Sequence, residues 1–87
     1  QEGFLGSKTK PRLLLSFKEA NYDLKSLQCF IQGTTARKSI KVIKNNLAEL
    51  SLWPEANLTQ RRTLFTVTVM DNQRQWHWFS YVYVQPN

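Results

Sequence analysis

The chain has 87 residues, which limits it to one domain, and its hydrophobic fraction of 41% and charged fraction of 21% are ordinary for a folded globular protein. Its single cysteine, Cys29, excludes an internal disulfide and a cysteine-cluster zinc site. No apolar run is long enough to span a membrane. The net charge of +6 favours an anionic partner, such as nucleic acid, acidic lipid or an acidic protein surface.

The N-terminal residues predict a flexible lead-in followed by a compact domain. Residues 1–11 combine glycines, a serine, a proline and two lysines, so we expect a lead-in there and one small α+β domain over residues 12–87. The segment 13–17 is short and mostly apolar. It fits either a buried strand or one helical turn, because periodicity cannot decide at this length. A strand would add a third member to a sheet built on the C-terminal hairpin.

The middle of the chain predicts two helices. Apolar residues recur at three- and four-residue spacing after Asp23, which is a plausible N-cap, and the pattern breaks at Gly33, which suits a C-cap. A second helix follows over residues 35–50 and ends before Pro54. The apolar positions that carry the two patterns are Leu24, Leu27, Phe30 and Ile31 in the first, and Ile40, Ile43, Leu47 and Leu50 in the second.

The last third of the chain predicts an antiparallel β-hairpin. Residues 64–70 and 76–84 are rich in β-branched and aromatic residues, and the polar stretch 71–75 between them supplies turn residues. Together the elements predict an α+β fold, with two helices packed on one face of a small antiparallel sheet built around this hairpin. The same order of elements would also fit a winged-helix domain.

The second predicted helix carries a cationic face. Arg37, Lys41 and Lys44 fall at i, i+4 and i+7, and no acidic residue occurs between Leu24 and Ala48. Unpaired cations bind phosphates by releasing counterions, and a helix N-terminus adds amide donors. A solvated face that keeps the domain soluble is the alternative. The predicted nucleic-acid or anion-binding residues are Thr35, Arg37, Lys38, Lys41, Lys44 and Arg74.

The second hairpin strand carries the candidate protein-binding residues. Trp76, Trp78, Ser80, Val82 and Val84 point to one side of this strand, and His77, Phe79, Tyr81 and Tyr83 point to the other. Both sides are largely apolar, so either both faces are covered or one displays aromatics to a partner. We expect Trp78 and Phe79 to be covered. The predicted partner-binding aromatics are Trp76, Tyr81 and Tyr83.

The sequence predicts a protein without catalytic activity. His77 is the only histidine, the six acidic residues are scattered, and there is no glycine-rich phosphate loop, so no catalytic site, metal site or cofactor is predicted. Asn57 begins an N-glycosylation pattern that arises often by chance. The predicted function is a small basic binding module for DNA or RNA. The alternative is a protein–protein interaction module, secreted or periplasmic, or a subunit of a larger assembly, that uses the aromatic hairpin.

Overall fold

A computed structural model describes residues 3–44 and 46–86 and is built almost entirely of β-strands. The predicted α+β class and its winged-helix alternative are both wrong, because the described residues contain no α-helix and only one 3-10 turn, Glu19–Asn21. The eight strands are β1 (Gly3–Gly6), β2 (Pro11–Lys18), β3 (Tyr22–Ile31), β4 (Thr34–Thr35), β5 (Arg37–Lys44), β6 (Leu47–Trp53), β7 (Arg62–Asp71) and β8 (Trp76–Val84).

The strands form two four-stranded antiparallel sheets packed face to face. Sheet I has the order β1-β2-β6-β5, and sheet II has the order β4-β3-β7-β8. The chain changes sheets between β4 and β5, where the Ala36 N–H donates to the Cys29 carbonyl at 2.8 Å. If the eight strands are lettered A, B, C, C′, D, E, F and G in chain order, sheet I has the order A-B-E-D and sheet II has the order C′-C-F-G. This is the strand order of an immunoglobulin-type sandwich.

The core lies between the sheets and is supplied by alternate residues of the inner strands. On β6, Leu50 and Leu52 are buried while Glu49 and Ser51 face outward. Burying one such side chain stabilises the fold by about 1.5–3 kcal/mol. The buried apolar residues that join the two sheets are Leu13, Leu15, Leu27, Cys29, Ile31, Leu50, Leu52, Phe65, Val67, Val69 and Tyr83.

The first predicted helix is strand β3. Leu27, Cys29 and Ile31 are buried in alternation, which is the period of a strand rather than of a helix. Gly33 does not cap a helix. Gln32 and Gly33 have φ of 51° and 79° and form the two-residue loop of the β3–β4 hairpin, in which Ile31 pairs with Thr34. Positive φ at both loop residues is the geometry of a type I′ turn, which matches the twist of the flanking strands.

The second predicted helix is replaced by β4, β5 and part of β6. A helix packed on the sheet would bury Ile40, Ile43 and Leu47 against Phe65, Val67 and Val69 of the hairpin. The three hairpin residues are buried, but Ile43 is 48% exposed and Leu47 is only partly buried. The cationic helix face therefore does not exist, and its residues lie on strands.

The C-terminal hairpin is confirmed. β7 and β8 pair in register, from Arg62 opposite Val84 to Met70 opposite Trp76. The segment 13–17 is also a strand, but it lies in sheet I and pairs with β1 and β6 rather than with the hairpin. Strand β1 lies within the residues predicted as a lead-in. Its Phe4 packs on Tyr83 and Phe65 with ring centroids 4.9 and 5.1 Å apart.

Candidate functional site

The most unusual surface of the molecule is the outer face of sheet II, where the hairpin displays large apolar side chains to solvent. Trp78 is 67% exposed and Val82 is 56% exposed, and both point outward from β8. We call this surface the tryptophan face and define it by Leu64, Trp76, Trp78, Val82 and Val84. A clustered apolar surface of this kind commonly marks an interaction site in soluble proteins.

The register of the hairpin explains why these side chains form one surface. Leu64 lies opposite Val82 and Met70 lies opposite Trp76, so the outward residues of β7 and β8 form continuous rows. Thr66, Thr68 and Ser80 occupy the positions between them. Neither 64–70 nor 76–84 contains an acidic residue, a lysine or an arginine. The tryptophan face is therefore an apolar surface with hydroxyl groups but without charge at its centre.

A hydrogen-bonded turn holds the two strands of the tryptophan face in position. The Asp71 carboxylate accepts from the Gln73 and Gln75 N–H groups at 2.8 and 2.9 Å, and its other oxygen lies 2.8 Å from His77 Nε2. The His77 hydrogen bond, followed by those from Gln75 and Gln73, lowers the pKa of Asp71. Arg74 completes the loop with φ of 63°, the left-handed conformation typical of a three-residue hairpin loop.

The three predicted partner-binding aromatics lie on different sides of sheet II. Trp76 is 42% exposed on the tryptophan face. Tyr81 and Tyr83 lie on the inner face, where Tyr81 is partly buried and Tyr83 is 8% exposed and donates its hydroxyl to the Lys8 carbonyl at 2.7 Å. The expectation that Trp78 is covered is wrong. The alternation identified its side of the strand, but only the position of sheet I decides which side faces the core.

The predicted anion-binding residues do not form one cluster. Arg37 and Lys41 lie on the outer face of sheet I, opposite Trp53 and Glu49 of β6. Lys38 points to the other side of β5, Thr35 lies on β4 in sheet II, and Arg74 lies in the β7–β8 turn. The side chain of Lys44 lies outside the described part of the structure. Nothing among the described residues brings this set to a single surface.

Two cations on the outer face of sheet I, Arg37 and Arg12, already contact other side chains. Arg37 Nε lies 3.0 Å from a Glu55 carboxylate oxygen, in a pair that is largely solvent-exposed and therefore weak. The Arg12 guanidinium lies 4.5 Å from the centre of the Trp53 ring. These cations and the tryptophan face lie on opposite outer faces of the sandwich. Stacking surfaces for single-stranded nucleic acid combine aromatics and cations in one groove. Here Arg12, Arg37 and Lys41 lie on the face opposite the exposed tryptophans.

The interior between the sheets contains a buried thiol and an apolar cavity. Cys29 is 1% exposed, and burial raises its pKa to about 11. An apolar cavity of about 220 Å³ lies between the sheets beside Leu27, Val69, Phe79 and Tyr81. Among residues 3–44 and 46–86, no group of three histidine, cysteine, aspartate or glutamate side chains could hold a metal ion.

Comparisons with known proteins assign no family to this chain. Searches against protein-family models, curated protein sequences and solved structures found no match. Within the described residues there is no helix long and apolar enough to cross a membrane. Function must therefore be inferred from the surface chemistry of the sandwich.

Proposed function

We propose that this chain is a non-catalytic protein-interaction module that binds a protein partner through the tryptophan face. The observation that carries the proposal is the exposure of Trp78, Val82 and Leu64, at 67%, 56% and 42%, on one continuous surface. Tryptophan is among the residues that contribute most to the stability of protein interfaces, since a large apolar ring becomes desolvated there. Arg62, at the end of this surface opposite Val84, supplies a polar rim.

The architecture supports a role in recognition. The tryptophan face is carried by two long paired strands and a hydrogen-bonded turn, so its side chains are held by regular main-chain geometry rather than by a flexible loop. A preorganised surface loses less conformational entropy when it binds. Phe65, Val67 and Val69 anchor the inner side of β7 in the core, which keeps the outward side chains of the same strand in place.

Binding of DNA or RNA remains the other proposal, and the described geometry favours it less. Its predicted cations Arg37, Lys38 and Arg74 lie at different places on the molecule, and Arg37 already contacts Glu55. A protein that neutralises several phosphates loses affinity linearly in log salt. Titration of duplex and single-stranded DNA over a salt series tests this directly. A steep slope that flattens in Arg37→Gln/Lys41→Gln would favour nucleic acid over a protein partner.

Site-specific photo-crosslinking tests the proposed protein-binding function. A photoreactive phenylalanine derivative replaces Leu64, which lies on β7 within the tryptophan face. The same derivative replaces Ser39 on the outer face of sheet I as a matched control. In an extract of the source cells, we expect a discrete crosslinked protein from position 64 and none from position 39.

A second variant tests whether the crosslink depends on the tryptophan face. Trp78→Ser removes the most exposed ring and should abolish the crosslink from position 64 while the circular dichroism spectrum stays unchanged. Equal crosslinking from positions 64 and 39, or a crosslink that survives Trp78→Ser, would contradict the proposal.

A further inference from the structure

The free edge of strand β8 supports an inference that goes beyond the proposed function. An edge strand presents unpaired main-chain N–H and C=O groups, and proteins usually protect such edges with short strands, charged side chains, prolines or bulges. Four strands form the edges of the two sheets: β1 and β5 in sheet I, and β4 and β8 in sheet II. Three of these carry a protective device and β8 does not.

The three protected edges differ in the device they use. Strands β1 and β4 contain only four and two residues. Strand β5 is eight residues long but carries Arg37, Lys38 and Lys41, and its register shifts between Val42 and Lys44. By contrast, β8 has nine residues with no lysine, arginine, acidic residue or proline, and it pairs with β7 without a register shift. It is the edge best suited to accept another strand.

The hydrogen bonds of the hairpin fix which main-chain groups of β8 face the open edge. At the turn, the Asp71 N–H donates to the Gln75 carbonyl at 2.9 Å, and at the other end the Gln85 N–H donates to the Arg61 carbonyl at 2.7 Å. In an antiparallel pair, hydrogen-bonded positions alternate along the strand. The odd-numbered residues of β8 therefore bond to β7. The residues whose N–H and C=O groups face the open edge are Trp76, Trp78, Ser80, Val82 and Val84.

We propose that β8 pairs with β8 of a second copy of this chain, antiparallel and in register about Ser80. In this pair, the edge-facing residues of one β8 strand form hydrogen bonds with the edge-facing residues of the other. All five of them find a partner when the two-fold axis passes through Ser80. Trp76 then lies opposite Val84, and Trp78 lies opposite Val82, with each edge-facing pair exchanging two hydrogen bonds. Each outward tryptophan meets a smaller β-branched side chain, a pairing that stabilises antiparallel sheets.

Charge does not oppose a second copy at the contact itself. Each copy carries a net charge of +6, but β8 contains no lysine or arginine, so the paired strands place no like charges opposite each other. Pairing of β5 with another β5 would bring its lysines together. Because the remaining repulsion acts between cations distant from the contact, salt should screen it and strengthen the dimer.

The inner side of β8 gives an independent reason for a partner there. Within residues 3–44 and 46–86, strand β1 pairs with residues 11–14 of β2 and not with residues 15–18. Phe79 and Tyr81 line the cavity between the sheets and are only partly buried. In the proposed dimer, Phe79 of one copy lies opposite Tyr81 of the other. Their remaining exposed surface would then be covered.

A charge-swap experiment at Ser80 tests the pairing, because this residue meets its own copy at the two-fold axis. Sedimentation equilibrium should detect a dimer of the unmodified chain that strengthens from low to high salt. Ser80→Lys alone and Ser80→Glu alone each place like charges opposite one another. Each should weaken the dimer by about tenfold or more. An equimolar mixture should restore it as a heterodimer.

Matched control variants show whether the effect of charge is specific to the β8 edge. Gln28→Lys adds the same charge to the same outer face, on β3, two strands away from the edge, and should leave the dimer unchanged. Ser80→Ala keeps the main-chain groups and should also dimerise normally. A dimer unaffected by Ser80→Lys, or a mixture no stronger than the single variants, would overturn the proposal. A wild-type chain that stays monomeric at high salt would overturn it as well.

Amide hydrogen exchange on the unmodified chain provides a test that needs no substitution. Raising the protein concentration should slow exchange at the edge-facing amides of β8 and leave exchange on β5 unchanged. An equal effect of protein concentration on amide exchange in β5 and β8 would contradict the pairing. This exchange test can fail without affecting the proposed function. Crosslinking from position 64 detects a partner on the tryptophan face whether or not β8 pairs with β8 of a second copy.

Discussion

Replacing Leu50 by alanine tests the two-sheet core most sharply. Leu50 lies on β6 and is 1% exposed between the sheets. The substitution removes three carbon atoms, which at about 0.8 kcal/mol per buried methylene corresponds to roughly 2.4 kcal/mol of lost transfer free energy. The cavity left behind adds to this, so we expect a total loss of about 2–5 kcal/mol in the free energy of unfolding.

Ile43→Ala is the matched control. A helix over residues 35–50 would place Ile43, Leu47 and Leu50 on one buried face, and both substitutions would then destabilise strongly. In the sandwich Ile43 is 48% exposed at the edge strand β5, so its replacement should change the free energy of unfolding by about 0.5 kcal/mol or less. Urea titration followed by tryptophan fluorescence measures both values, with equal slopes as the check on two-state behaviour. Similar losses at the two positions would refute the assignment of these residues to strands.

Three further predictions concern the turn, the buried thiol and the tyrosine contact. Because Asp71 has a lowered pKa in the fold, its carboxylate stabilises the protein above the unfolded pKa near 4 and loses this effect as the pH falls through the lowered pKa. The difference in urea midpoint between wild type and Asp71→Asn should therefore shrink from pH 7 to pH 3. A difference that stays constant over this range would contradict the stabilising role of the carboxylate. Cys29, with a pKa of about 11, should react with a disulfide reagent at pH 8 roughly a hundredfold more slowly in the folded chain than in urea; equal rates would show that it is accessible. Tyr83→Phe removes the hydrogen bond from the Tyr83 hydroxyl to the Lys8 carbonyl. In a urea titration, the free energy of unfolding should fall by about 0.5–1.5 kcal/mol. An unchanged free energy would mean that this bond does not stabilise the N-terminal segment against β8.

The hairpin was predictable because its two strands alternate strongly and a polar turn separates them. The two helices were predicted wrongly for a physical reason. Positions three residues apart lie on opposite faces of a strand, so a strand with apolar residues on both sides imitates a helical spacing. On β3, Leu24 and Phe30 are partly buried while Leu27 is in the core, and the spacing alone cannot distinguish these environments. The pair Gln32–Gly33 was the overlooked signal for a hairpin turn.

The candidate site was predictable in part. Composition and alternation identified β8 and which of its side chains share a side, but of the three aromatics proposed to bind a partner only Trp76 lies on the outer face. They could not determine which face is outward, because that depends on sheet I, whose strands β5 and β6 carry the spacing that predicts a helix. For the same reason, Arg37 and Lys41 were expected beside Lys38 on one helix face, whereas the strand places them on the opposite side from it.

Residue-resolved hydrogen exchange in the complex decides which side of the sandwich binds the partner. The chain is compared free and bound to the protein captured through position 64. We predict that partner binding slows amide exchange along β7 and β8 and leaves β5 unchanged. Protection confined to β5, with unchanged exchange on the hairpin, would contradict binding through the tryptophan face. It would instead indicate that the partner binds β5, which carries Arg37, Lys38 and Lys41.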